Sequence, residues 1–222
     1  MNIAPSAIST MVIMATLQVA MVMPAPDSLI PDVSPGRHTI SVHKLSSSPI
    51  PTLAQAAQPL STSLQKAYHL DQYEANRYAG YLIEAADYTG INPLVMAALV
   101  HTESRYQDHA VSSVGAMGPA QIMMRYWQEE CPKAAVDPRE NVICGASILA
   151  QYHQQYCLDV ADDIACALHL YNVGPGRMDR QPLQAMQEAL SYSRLVVRSL
   201  EDLLPHAGLF ASRYQPLTEL RF

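Results

Sequence analysis

The run Val95-Met96-Ala97-Ala98-Leu99-Val100, preceded by Asn92-Pro93 and followed by His101-Thr102-Glu103-Ser104, constrains this chain more than any other stretch. Asn92 supplies an N-cap and Pro93 the first helical position, so a helix is predicted from there. Its body is apolar, and it ends by presenting one carboxylate, that of Glu103. A Glu near the C-terminal end of a helix is poorly placed, because the helix dipole is negative there and an apolar setting further disfavours the charged form. Both effects raise its pKa, and a carboxyl kept protonated near neutral pH can serve as a general acid. Taken alone, such a Glu is more often an ordinary solvated helix end. The neighbouring motifs have to carry the assignment.

Helical punctuation recurs on both sides. A first short helix is expected around Leu64, Ala67 and Tyr68, and a longer one carries Tyr73, Arg77, Tyr78, Tyr81, Ile83, Glu84 and Tyr88 and stops at Gly90. Residues 106–118 read as a loop with two glycines, and Pro119 is expected to open a further helix to about Glu130. Asp137-Pro138-Arg139-Glu140 combines a cap, a proline at the first position and an acid at the third, which predicts a helix start. Val142, Ala146, Leu149 and His153 mark its inward face. Val160, Ile164, Leu168 and Tyr171 space another helix, stopped at Asn172-Val173-Gly174-Pro175-Gly176, and Leu183, Met186, Leu190, Val197 and Leu200 suggest a last one before Pro205. No stretch alternates as a strand, so the fold class is mainly α.

The rest of the chain separates from this body by composition. The first 23 residues carry no charged side chain and Ile8 to Met23 is strongly apolar, so residues 1–25 read as an export signal or a retained inner-membrane anchor. The absence of Lys or Arg from its start and Pro26 after Ala25 make it an imperfect signal. Residues 26–60, with prolines clustered between Pro26 and Pro59, describe a linker, 61–204 the folded domain and 205–222 a C-terminal tail. The net charge of −6 is spread without a basic block, which argues against nucleic acid as a partner. All four cysteines lie in the body, and an even set in an exported chain points to two disulfides. Cys144 and Cys157 on one helix would be ~20 Å apart and cannot bridge. Of the two remaining connectivities the short-range one, Cys131–Cys144 with Cys157–Cys166, is preferred. Their spacing matches no zinc motif, so neither a metal nor another cofactor is expected.

Three motifs fall in one order along the body: Glu103-Ser104; Ser112 through Met123, containing Gly118-Pro119-Ala120-Gln121; and Leu170-Tyr171-Asn172-Val173-Gly174-Pro175-Gly176, with Asn141 and Gly145 between the last two. In this order and spacing, from about residue 71 to 180, the chain resembles the soluble lytic transglycosylase domain, whose fold is shared with goose-type lysozymes. The resemblance implies a lysozyme-like helical domain with a cleft that cuts the β-1,4 bond between N-acetylmuramic acid and N-acetylglucosamine in peptidoglycan. Glu103 matches the family's sole catalytic acid/base. It would protonate the glycosidic oxygen and then accept the proton of the sugar's own C6 hydroxyl, leaving a 1,6-anhydro-muramyl end. No second carboxylate is then required, whereas hydrolysing glycosidases usually employ two.

Substrate-binding roles are implied for Ser112, which would bond the carboxylate or an N-acetyl group, for Gln121, for Met123 as an apolar wall, and for the pair Tyr171 and Asn172, whose phenol would orient the carboxyl. Each also has a plain structural reading: Ser112 capping a turn, Gln121 solvated, Met123 in the core, Tyr171 and Asn172 ending a helix. His101, His109 and His169 read as structural, and Asp108 is the nearest downstream acid, with nothing to mark it as facing the site. Pro119-Ala120 stand where Leu-Met is usual, Met124 where Pro is, and Leu170 and Val173 where Ala is, which puts subsite shape in question. The expected partners are peptidoglycan strands, in the periplasm or cell envelope, and by analogy of size and linker components of an envelope-spanning secretion or pilus machine. A hydrolytic muramidase, or a catalytically weak glycan-binding scaffold, are the competing expectations.

Overall fold

The structure is a computed structural model that describes residues 52–213 apart from 159 and 161. The expected leader, most of the linker and the end of the tail lie outside the described residues. Helix α1 (Leu53–Tyr68) is opened by a capping box in which the Thr52 hydroxyl and the Gln55 side chain each accept from the other's backbone N–H. It therefore begins within the stretch expected to be linker. Pro59 sits inside it, and Ala57, Leu60 and Leu64 form its buried face. Helix α2 (Gln72–Thr89) is capped by Asp71 and ends at Gly90, whose φ of 76° lets its N–H reach the Ala86 carbonyl. Helix α3 (Pro93–Ser104) follows the Asn92 cap, and every residue from Pro93 to Val100 is buried. A helix apolar on all sides needs neighbours on all sides.

The neighbour with the longest reach is α8 (Pro182–Arg213), broken at Gly208 and packed against α1, α3 and α6. Its buried face is Ala185, Ala189, Tyr192, Val196, Leu200 and Leu203. The face expected from its large apolar residues is only partly the inner one: Leu200 is buried, but Leu183, Met186 and Leu190 are exposed. Alanines at two inward positions let the α8 backbone come close to its neighbours, so small residues rather than leucines mark the contact. The expected tail also joins the fold. The helix continues through Pro205, the Ser63 hydroxyl donates to the His206 carbonyl at 2.9 Å, and Ala207 and Phe210 are buried.

Helix α5 (Pro138–Tyr152) starts where Asp137 accepts from the Arg139 and Glu140 N–H groups, and continues as a π turn over His153–Cys157. Helix α6 (Asp163–Val173) and the short α7 (Pro175–Arg180) complete this side. Both disulfides form in the short-range pairing, Cys131–Cys144 holding the segment before α5 and Cys157–Cys166 tying the π turn to α6.

One expected helix is absent. From Pro119 onward only Met124–Trp127, α4, is helical. Gly118 and Gln121 both have positive φ, 76° and 52°, and Met117 makes isolated antiparallel bridges to Val111 and Ile122. This loop is clamped by Asn141, wholly buried on α5. Its amide oxygen accepts from the Ala120 N–H at 2.7 Å, and its amide nitrogen donates to the carbonyls of Met117 and Ala134 at 2.9 and 2.8 Å. A Cβ on Gly118 would come within 2.4 Å of that amide, so glycine is required there by space as well as by φ. Asn141→Ala is expected to lower the unfolding free energy by roughly 2–4 kcal/mol, because three buried main-chain groups lose their partner. An unchanged urea midpoint would show that the clamp does not hold the fold.

Candidate active site

Glu103 is the next-to-last residue of α3 and is half-buried. Its position is fixed from behind. The Tyr106 hydroxyl donates to the Ala97 carbonyl at 2.8 Å, and the Tyr78 hydroxyl donates to Asp108 at 2.6 Å. Arg77 holds both Asp108 oxygens, at 2.8 and 2.7 Å. Arg105 and Tyr106 both have positive φ, so the chain reverses sharply after the helix. His101 stacks on Tyr68 with ring centroids 4.0 Å apart and meets the Ser199 hydroxyl at 2.8 Å, joining α1, α3 and α8 within a turn of Glu103. His169 meets the Ser193 hydroxyl at 3.1 Å.

The carboxyl itself is met by Tyr192 of α8, whose hydroxyl donates to Glu103 Oε1 at 2.6 Å. Burial pushes the Glu103 carboxyl up from 4.5 to about 7, against the pull of that hydrogen bond. The dipole at the end of α3 acts in the same direction. Tyr192 and Tyr171 are themselves raised well above the usual phenol range, by burial first and then by the nearby Glu103. A buried carboxyl whose pKa lies near 7 is half protonated at that pH and can give or take a proton.

Tyr171 is brought close to Glu103 but does not bond it. Its hydroxyl donates to the Ala120 carbonyl at 2.7 Å, so it fastens the loop to α6, and the expected orienting role falls to Tyr192. The Tyr171 oxygen passes so near α5 that a Cβ on Gly145 would sit 3.0 Å from it and 2.7 Å from the Ala120 side chain. Ala120 and Pro119 are both buried under the loop.

Asn172 is exposed and shares with Tyr192, Gln187, Glu188, Ser191 and Leu195 an open cleft of about 520 Å³. Glu103, Ser112, Gln121, Tyr171 and Met123, the last half-buried at the start of α4, are not among those lining residues; Tyr192, which bonds Glu103, is the link between the carboxyl and the cleft. Gln121 commits its amide nitrogen to the Gly118 and Ala110 carbonyls, at 2.9 and 3.2 Å, and the Ser112 hydroxyl accepts from the Ala116 N–H at 3.0 Å. Both side chains shape the loop.

Two other acids, Glu188 on the cleft wall and Asp108 four residues after the end of α3, are each paired with an arginine. Burial raises Asp108, but hydrogen bonds from Tyr78 and Arg77 outweigh it and keep the carboxyl below the usual range. Glu188 is gripped at both oxygens by Arg177, at 2.6 and 2.5 Å, which holds it low as well. Tyr192, which periodicity of large apolar residues does not single out, lies 89 residues from Glu103 in sequence.

A family model described as the transglycosylase SLT domain matches residues 80–192, a span that contains Glu103, the clamped loop and Tyr192. The chain is similar to membrane-bound lytic murein transglycosylase F of Ectopseudomonas mendocina (strain ymp), 30% identical over 115 residues, 51% of this chain and 23% of that protein. It is also similar to membrane-bound lytic murein transglycosylase C of Sodalis glossinidius (strain morsitans), 25% identical over 126 residues, 50% of this chain and 35% of that one. A second transglycosylase F, of Stutzerimonas stutzeri (strain A1501), is 28% identical over 141 residues, 63% and 28% of the two chains. The match thus spans between 23% and 35% of these relatives' own lengths.

The raised pKa is also a statement about stability. Below 4.5 the carboxyl is protonated in folded and unfolded chains alike; above that the unfolded chain ionises first, so stability falls as pH rises and levels off beyond about 7. Glu103→Gln is therefore expected to melt higher than the parent at about pH 8, by up to on the order of 3 kcal/mol, and equally at about pH 4. Equal melting at both pH values would remove the burial argument. In Tyr192→Phe the loss of a bond that favours the charged form moves the upper break of the parent's stability–pH curve to higher pH. A break that stays in place would show that the phenol does not act on the carboxyl.

Proposed function

The chain belongs to the transglycosylase SLT domain family, and on that premise we propose that it is a lytic transglycosylase of peptidoglycan. In this reading Glu103 enters protonated and gives its proton to the glycosidic oxygen between N-acetylmuramic acid and N-acetylglucosamine. As the C1–O4 bond breaks, the muramyl C6 hydroxyl attacks C1 and the Glu103 carboxylate takes the proton that O6 releases. The proton passes from O6 to O4 by way of one carboxyl, no water is consumed, and the product ends in a 1,6-anhydro ring. The observation that supports this best is the Glu103–Tyr192 pair: an acid raised to about 7 by burial and met by a phenol, while Asp108 and Glu188 are tied to arginines.

The other residues take roles in keeping with their contacts. Tyr192 orients the carboxyl, Asn172 lines the adjoining cleft, and Tyr171, Gln121 and Ser112 hold the loop that walls the site. Met123 stands at the loop's end as an apolar wall. Pro119-Ala120 alter what lies beneath the loop and leave the Glu103–Tyr192 bond intact, which favours an active enzyme over a glycan-binding scaffold. Two disulfides suit an oxidising compartment, and we place the protein in the cell envelope, exported by a leader or held by an anchor in residues 1–25 and spaced by the Pro-rich stretch that follows. Service to a secretion or pilus machine is an analogy of size and layout.

Digestion of purified murein followed by mass spectrometry is expected to yield 1,6-anhydro-muropeptides. Reducing muramyl ends without them would replace this reading with hydrolysis. Glu103→Gln is expected to lower turnover at least ~100-fold, and in the parent the rate falls as pH rises through about 7, because the acid form is consumed.

A further inference from the structure

A second concavity shares no lining residue with the cleft beside Asn172 and Tyr192. It is a half-open groove of about 470 Å³ between the end of α2, the segment after α4 and the outer side of α5. Trp127 forms its aromatic wall, with Tyr88 at the rim and Lys133, Glu130, Ser147 and Gln151 around it. We propose that this groove is a second saccharide-binding site, which takes a β-1,4-linked amino-sugar strand against Trp127 and holds it while another part of the glycan occupies the cleft. The inference deepens the function proposed above and rests on it for the identity of the polymer.

Three observations carry it. The first is rigidity. The Cys131–Cys144 disulfide joins two walls of the groove, and Trp127 is seated edge-on against the buried Tyr152, with ring centroids 6.1 Å apart and 68° between the planes. A groove already held in shape loses little ordering entropy when it binds.

The second is the lining. One half-buried indole and a tyrosine that is 76% exposed offer apolar faces, while an ammonium, the two carboxylates of Glu130 and Glu140 and an amide supply donors and acceptors of both signs. A phosphorylated ligand would call for a cluster of cations, and a lipid or an apolar helix for a lining without charges. A pyranose presents one face of C–H groups and an edge of hydroxyls, which matches an aromatic wall ringed by mixed polar side chains.

The third is placement. Asn141 and Gly145, which hold the active-site loop, and Ser147 and Gln151, which line the groove, lie about a third of a turn apart around α5. One helix therefore carries both the clamp of the loop beside Glu103 and one wall of the groove, and a strand caught in the groove would be tethered to the catalytic domain, which raises its effective concentration there.

Trp127 is the chain's one tryptophan, so its emission reports the groove directly. In the full chain carrying Glu103→Gln, which cannot consume its ligand, chitotetraose is expected to change that emission, and purified undigested murein sacculi are expected to sediment the protein. Adding Tyr88→Ala and Gln151→Ala, both at exposed positions, is expected to abolish the emission change and weaken sedimentation about tenfold. With Glu103 intact, the same two substitutions should leave the cleavage rate on short soluble glycans at the parent's value.

Sacculus binding unchanged by the two substitutions would overturn the inference, as would an emission change that survives them. So would an indole that ignores the saccharide while the chain still binds sacculi. The catalytic reading fails separately. If the parent releases no sugar product but the groove substitutions still abolish binding, the groove stands and the enzyme assignment falls.

Discussion

A helix buried on every side can hand a polar group to a site only from its end, and α3 is such a helix. From Pro93 to Val100 it has no exposed residue, so its one useful carboxyl comes at the last turn, where the core gives way to solvent. That position sets the terms for the surrounding structure. The chain must reverse at once, which Arg105 and Tyr106 do with positive φ. The reversal must be anchored, which Tyr106 and Asp108 do through Ala97, Tyr78 and Arg77. A second element must cover the carboxyl without neutralising it, and α8 does so with a phenol in place of a cation.

The loop from 110 to 122 follows from the same demand for fixed geometry. It has almost no regular structure, so its backbone groups need partners from elsewhere. Asn141 supplies two bonds to it and Tyr171 one, and Gln121, within the loop, adds two more from its own side chain. Several residues whose family resemblance suggests contact with substrate are, by their bonds, the loop's fasteners. Their position near the site and their structural work are compatible, because a wall held by α5 and α6 keeps its shape when a ligand leans on it.

Much of the fold was legible in the sequence wherever local chemistry decides the outcome. Asp71 and Gly90, Asn92-Pro93 and Asp137-Pro138 are caps and stops whose effect does not depend on distant residues. The misses have the opposite character. Pro59 disguised α1, whose Thr52–Gln55 capping box and buried leucines outweigh one proline. Pro119 resembled a helix start, but Gly118, Gln121 and the Asn141 clamp make that stretch a loop. On α8 the large apolar residues drew the eye to one face while alanines and Tyr192 packed the other. Glu103 could be found from its own helix. Its phenol could not, since nothing local to Tyr192 announces a bond to a residue 89 positions away.

The electrostatics of the three acids then bear on the chemistry. Environments that push neighbouring pKa values apart are how a fold assigns one acid the role of proton donor. Asp108 and Glu188 each face an arginine and stay ionised; Glu103 is covered by tyrosines and stays near 7. A hydrolytic glycosidase would want a second, less encumbered carboxylate to activate water or attack the sugar. Here Arg177 holds both Glu188 oxygens and Arg77 both of Asp108's, so each carboxylate would have to give up an ion pair to act as a base. An attacking hydroxyl already attached to the substrate needs no such partner, because proximity replaces the base that a free water would require. Arginine-paired acids beside a Glu103 covered by a phenol are what the intramolecular transfer proposed above calls for, since it asks for no second carboxylate.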